Sequence, residues 1–183
     1  MMRRLIPILV LAVTLAAPLT PANAQYPWYG DRLVIFSDEA LTDSTLTDDA
    51  PRTVSLYVVH KNFDYGTGVR FATVADPGFT GVWLSETSSY YVMGKSTSDI
   101  AVSYGLCRPS PVVVLTLVYQ MFGTSDTCSE LRVAPAAGFS DAVCYSRGGC
   151  FFENACQTGA LYVNCPVAVE PTTWGKVKSL YRN

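Results

Sequence analysis

The chain has 183 residues, with 13 Lys and Arg against 15 Asp and Glu, a formal net charge of −2 and a mean hydropathy of +0.21. So mildly acidic a chain lacks the Lys/Arg footprint by which proteins neutralise nucleic-acid phosphates, and it offers no polybasic surface to anionic membranes. Its length suits one domain built around one core.

Read from the start, the chain opens with a secretory signal. Arg3 and Arg4 give a basic start, Leu5 through Leu15 form a mostly apolar run, and Pro18 and Pro21 break it ahead of Ala22-Asn23-Ala24. Small residues stand there where signal peptidase needs them, which places the cut before Gln25. A spanning helix needs about 20 apolar residues, more than this core supplies. No cysteine follows the small residues, as a lipoprotein signal would require. Residues 1–24 are therefore read as signal peptide, 25–170 as a β-sandwich domain and 171–183 as an amphipathic tail. The domain is expected to work outside the cytoplasm: in the periplasm, in the medium or on the cell surface.

After the cut, short strands alternate with Gly, Pro, Ser and Asp. Arg32–Ser37 is the first, rich in branched apolar residues. Val54–Lys61 follows, with Val54, Leu56, Val58 and His60 on one face and Ser55, Tyr57, Val59 and Lys61 on the other. Val69–Val74, Val82–Ser85, Tyr90–Met93 and Ile100–Tyr104 come next. Val112–Phe122 is the most apolar run, and its β-branched composition favours a buried strand over a helix. Glu130–Val133, Ala142–Tyr145 and Gly159–Asn164 complete the set. About nine strands at short spacing read as an all-β fold, an antiparallel β-sandwich of Ig-like or cohesin-like type.

All six cysteines, Cys107, Cys128, Cys144, Cys150, Cys156 and Cys165, lie in the second half of the chain. An even number in an exported domain reads as three disulfides, for which fifteen pairings exist. The preferred one is Cys107–Cys128, Cys144–Cys165 and Cys150–Cys156, the last closing a tight loop inside the second. No CxxC pair is present and the one histidine is far away in sequence, so zinc lacks its ligands.

In the tail, Thr173 can cap a short helix that places Trp174, Val177, Leu180 and Tyr181 on one face. The run Ser55-Leu56-Tyr57-Val58-Val59-His60, then Val82-Trp83-Leu84-Ser85-Glu86-Thr87, then Ser103-Tyr104-Gly105-Leu106-Cys107, together with the terminal Thr172-Thr173-Trp174-Gly175-Lys176-Val177-Lys178-Ser179-Leu180-Tyr181-Arg182, resembles a group of uncharacterised bacterial secreted proteins. Their mark is a short C-terminal Trp-Gly-x-Val/Ile-Lys-x-Leu-Tyr-Arg tail. The resemblance implies an exported β-rich domain with a recurring tail and transfers no catalytic residue. In pattern the chain is also distantly similar to cohesin and carbohydrate-binding sandwiches.

Catalysis finds few footholds. A Ser-His-Asp hydrolase needs a base within reach of its nucleophile; His60 is the only histidine, it sits in strand-like sequence, and no GxSxG elbow is present. Glu86, Glu130 and Glu153, the carboxylates a glycosidase would pair, lie on separate segments. The acidic loop carrying Asp38, Asp43, Asp48 and Asp49 is the candidate calcium site, since that ion takes six to eight oxygens, although an acidic surface loop is ordinarily just solvated. No other cofactor is expected. The aromatic pairs Tyr90-Tyr91 and Phe151-Phe152 are the candidate binding residues, because flat rings stack on sugars or anchor protein contacts. The reading is a non-catalytic module that binds protein or glycan, or serves in a structural assembly; the alternative is a secreted hydrolase on the same scaffold. Intact-mass measurement of the exported protein is expected to show a chain beginning at Gln25, and retention of residues 1–24 would remove the signal-peptide reading.

Overall fold

Alternation of apolar and polar residues sets the layers of this molecule. The computed structural model describes residues 30–61, 63–146, 150 and 152–166. The signal segment and the expected C-terminal helix lie outside the described residues. The strands are β1 (Arg32–Phe36), β2 (Thr45–Leu46), β3 (Pro51–Lys61), β4 (Tyr65–Ala75), β5 (Val82–Thr87), β6 (Tyr91–Lys95), β7 (Asp99–Pro109), β8 (Val112–Phe122), β9 (Ser129–Ala134), β10 (Val143–Ser146), β11 (Phe152–Ala155), β12 (Gln157–Thr158) and β13 (Ala160–Val163). One sheet runs β12-β1-β3-β8-β5. The other runs β11-β10-β4-β9-β13-β2, with β7 paired to β4 and β6 to β7. The fold is all-β, a disulfide-stapled sandwich whose pairings are antiparallel apart from the short β1–β12 and β13–β2 contacts.

Its centre is the long β3–β8 ladder, paired from Pro51↔Phe122 to His60↔Val112. Leu56, Val58, Leu115, Leu117 and Met121 face inward and are almost wholly buried. Against them lie Val69 and Phe71 of β4, Ile100 and Val102 of β7, and Leu131, Val133, Leu161 and Val163 from β9 and β13. Each such side chain contributes about 1.5–3 kcal/mol by leaving water. Between the pairs Val58↔Leu115 and Val59↔Val113 the register shifts, β8 carrying Val114 as an extra residue, while Val58 and Val59 are both buried, on opposite faces of β3. Val59 joins Val34 and Phe36 in a second, smaller cluster on the outer face, covered by Leu41 from the acidic loop.

Between β12 and β13 the chain changes sheets. Residues 157–158 pair with β1, and residues 160–163 pair with β9. Gly159 at the crossing donates its N–H to Leu33 O at 2.8 Å and accepts from Val133 N at 3.2 Å. A Cβ there would meet both Val34 methyls at 3.3 Å, so the crossing is tight against β1.

The disulfides correct all three expected pairs. They join Cys107 to Cys150, Cys128 to Cys165 and Cys144 to Cys156, with Cα separations of 5.8, 4.3 and 5.5 Å. Cys150 and Cys156 cannot meet because the chain between them is not a loop: it contains β11, an extended strand on the edge of β10. That extension holds them well beyond the ~7 Å a disulfide can span. Cys144 lies opposite Asn154 in this hairpin, so Cys156 is the nearby thiol. Cys107 and Cys128 are separated by β8, which runs the length of the sandwich. Peptide mapping of the non-reduced protein is expected to yield these three linked pairs; recovery of a Cys150–Cys156 peptide would contradict the β10–β11 hairpin.

Candidate functional site

The most chemically loaded cluster is buried. Strand β3 places His60 on the inner face beside Leu33 and Val112, with no exposed surface. Its Nδ1 shares a hydrogen bond with the Tyr104 hydroxyl at 3.1 Å, and its ring stacks on Phe63 at 3.9 Å between centroids. Nε2 is buried with no hydrogen-bond partner among the described residues. An Asp31 oxygen, a His60 ring nitrogen and Cys144 Sγ lie within 4.8 Å of one another. Asp31 in turn accepts hydrogen bonds from Ser146 Oγ and from Asn154 Nδ2, the latter at 2.6 Å.

This arrangement does not order itself as a hydrolytic triad. The serine donates to the aspartate, and the hydroxyl that reaches the histidine belongs to Tyr104. Burial pushes His60 down to about 4, only partly offset by Asp31, so the imidazole is neutral at physiological pH. Burial also pushes Tyr104 well above its ordinary range. Cys144 Sγ is bonded to Cys156 and therefore offers no thiolate to a metal.

A second feature is on the surface. Cross-strand pairing lines up Tyr91, Ser103, Gly68, Tyr145 and Glu153 in one row across β6, β7, β4, β10 and β11. The neighbouring row is Met93, Ala101, Arg70, Val143 and Ala155. Partners in a ladder share a face. Val92, between Tyr91 and Met93, packs on the core, so these rows form the outer face. Tyr91 is 70% exposed and Met93 59%. Arg70 donates to both oxygens of Asp99, Nε to Oδ1 at 2.8 Å, and lies 4.2 Å over the Phe139 ring. The Arg70 hydrogen bond holds Asp99 below its ordinary carboxylate value.

Compared with solved structures, this geometry has a clear neighbour. The cohesin module of a family 33 glycoside hydrolase from Clostridium perfringens superposes with a TM-score of 0.51 at 10% identity, over 75% of this chain and 98% of that module. The fold is cohesin-like. A Clostridium acetobutylicum cohesin follows at a TM-score of 0.48, with 11% identity over 73% of this chain and 90% of its own. A non-cellulosomal cohesin of Archaeoglobus fulgidus gives 0.44, with 8% identity over 80% and 97%. No family model matches the chain, and no curated protein does.

On this cohesin-like frame the acidic loop has structural employment. Asp38 accepts from the backbone N–H groups of Thr42 and Asp43 at 3.0 and 2.8 Å and from the Thr42 hydroxyl at 2.7 Å. The Asp43 N–H and the Thr42 hydroxyl hold its carboxyl below the usual value. Asp43 accepts from both N and Oγ1 of Thr45. Asp48 is buried and takes Gly123 N at 2.8 Å and Ser125 N at 3.0 Å. Burial alone would raise Asp48, but the hydrogen bonds from Ser125 and its neighbours prevail and hold it low. Asp49 pairs with Arg52 at 3.5 Å. Each of the four carboxylates turns to its own partners, and the metal-compatible cluster among the described residues is the Asp31–His60–Cys144 group, not this loop.

The tyrosine pair splits. Tyr90 packs on the core with its ring 5.0 Å from that of Tyr104, while Tyr91 faces solvent. Phe151 and the side chain of Phe152 lie outside the described residues. Sequence reading missed Met93, Arg70, Asp99 and Phe139. The alternation Tyr91-Val92-Met93 was the available signal for the first; the others meet only through the sheet.

Because the folded chain takes up the His60 proton only near pH 4 and the unfolded chain near 6.5, folding stability falls as pH drops through that window. Urea unfolding is expected to show a loss of about 2 kcal/mol between pH 7.5 and 5 that His60→Leu lacks. NMR of the native imidazole should show it neutral at pH 5; a protonated ring there would mean that the site is open to water.

Proposed function

We infer that the chain is an exported, non-catalytic binding module whose partner is a protein held on the outer face of β6, β7, β4 and β10. One observation carries this: Tyr91 and Met93 stand side by side at 70% and 59% exposure on the edge strand β6, beside the Arg70–Asp99 pair. A large amphipathic ring and a flexible thioether at the centre, with charge at the margin, match the anatomy of protein contact sites. The edge of β6 also presents backbone groups on which a partner strand could pair. Support for the non-catalytic part comes from His60, sealed in the core with its hydroxyl partner a buried tyrosine. Three disulfides with no free cysteine among them suit an oxidising compartment.

A photocrosslinking residue at position 91 of the exported protein, used in intact cells, is expected to give a discrete protein adduct. The same residue at Val113, exposed on the opposite sheet, should not. With the partner in hand, Tyr91→Ala should weaken binding by roughly 2 kcal/mol while leaving the thermal midpoint unchanged. Equal adducts from both positions, or binding that survives Tyr91→Ala with Met93→Asp, would refute the assignment of this face.

A further inference from the structure

At the opposite edge of the five-stranded sheet, where the chain changes sheets at Gly159, lies a groove of about 350 Å³. Val34 and Gly159 contribute to its lining, and the rest is mainly polar. Arg32 enters from β1. Glu130 and Arg132 project from the same face of β9, aligned with Tyr162 and Ala160 of β13. Ser44 and Thr158 add hydroxyls from either side.

Unpartnered polar side chains such as Asp64, Lys95 and Arg108 are scattered elsewhere among the described residues, but here several converge on one concavity. The carboxylates of Asp31, Asp38, Asp43, Asp48, Asp76 and Asp99 all accept hydrogen bonds from the protein. Arg70 is paired to Asp99 and Arg52 to Asp49. The side chains of Arg32, Ser44, Glu130, Arg132, Thr158 and Tyr162, by contrast, have no hydrogen-bond or ion-pair partner among the described residues, although they line one groove. Two unpaired guanidiniums and one carboxylate leave the groove net positive on a chain that is net negative.

We propose that this groove binds an acidic sugar residue of a glycan, with Arg32 and Arg132 holding its carboxylate. A guanidinium matches a carboxylate through two parallel hydrogen bonds. The ring hydroxyls of a uronic acid are donors and acceptors at once, which suits Glu130, Ser44 and Thr158. Tyr162, 40% exposed, supplies an apolar ring face against which a pyranose can pack. An acidic peptide would satisfy the arginines, and its backbone the hydroxyls, but an aspartate-rich one brings no ring to pack on Tyr162. The site stands apart from the Tyr91–Met93 face and does not depend on it.

The test is NMR titration of the exported domain, disulfides intact, with trigalacturonate, with neutral galactotriose and with an aspartate-rich hexapeptide. Trigalacturonate is expected to shift the amides of Gly159, Ala160 and Tyr162 saturably, and the neutral sugar far more weakly. Arg32→Gln and Arg132→Gln should each weaken binding about tenfold, and Tyr162→Ala should weaken it less. All three positions are exposed or bordering on it, so unchanged amide spectra elsewhere will certify folding. No saturable shift with trigalacturonate, or binding undiminished in the double arginine variant, would overturn the proposal. Hexapeptide binding equal to that of trigalacturonate, with Tyr162→Ala without effect, would overturn it in favour of an acidic protein segment.

Discussion

The inner face of the β3–β8 ladder is the surface against which everything else is placed. Ten residues of β3 pair with β8, and the inward set of Leu56, Val58, Leu115, Leu117 and Met121 leaves almost nothing exposed. A sheet so apolar on one side must be covered, and β4, β7 and β9 do so with Phe71, Ile100 and Leu131. Covering it seals the ends of the strands as well as their middles. His60 is the last inward residue of β3, one short of its end at Lys61, so it is buried by the same packing and its basicity is lost as a consequence.

Loops on this sandwich are held by carboxylates that accept backbone N–H groups. Asp48 is the clearest case: it ties the entry to β3 to the turn after β8, while Asn164 completes the joint by bonding Asp48 N and Ser125 O. Such groups are satisfied inside the protein and have little left for a ligand. The distinction between acids that act as struts and side chains that end in solvent separates architecture from recognition here. It gives the acidic loop a structural role and draws attention to the face around Tyr91 and the groove around Arg132.

Much of the architecture was legible. The expected strands at Arg32–Ser37, Val54–Lys61 and Val112–Phe122 correspond to β1, β3 and β8, because β-branched alternation is a local property that burial on one face enforces. Strands β2, β11 and β12 were not legible, since Thr-Leu, Phe-Glu-Asn-Ala and Gln-Thr have no pattern of their own. They become strands because an existing edge offers unpaired N–H and C=O groups. The expected disulfide pairing failed at the same place: reading residues 150–156 as a loop hid β11, and with it the reason for Cys144–Cys156. Tyr90 and Tyr91, adjacent in sequence, separate at the bend that enters β6: Tyr90 turns onto the core beside Tyr104, and Tyr91 opens the strand on its outer face.

By itself, then, the sequence determined an all-β chain with three disulfides, because strand periodicity and an even number of cysteines are written along it without reference to distant residues. Tertiary structure alone decided which cysteines meet, that the one histidine is sealed, and which tyrosine faces outward. It also decided that Arg32 and Arg132 share a groove. Those two lie far apart in the chain and meet only because residues 157–163 pair first with β1 and then with β9. No local pattern encodes such a meeting: it follows from the way two sheets, each hiding an apolar face, close against one another.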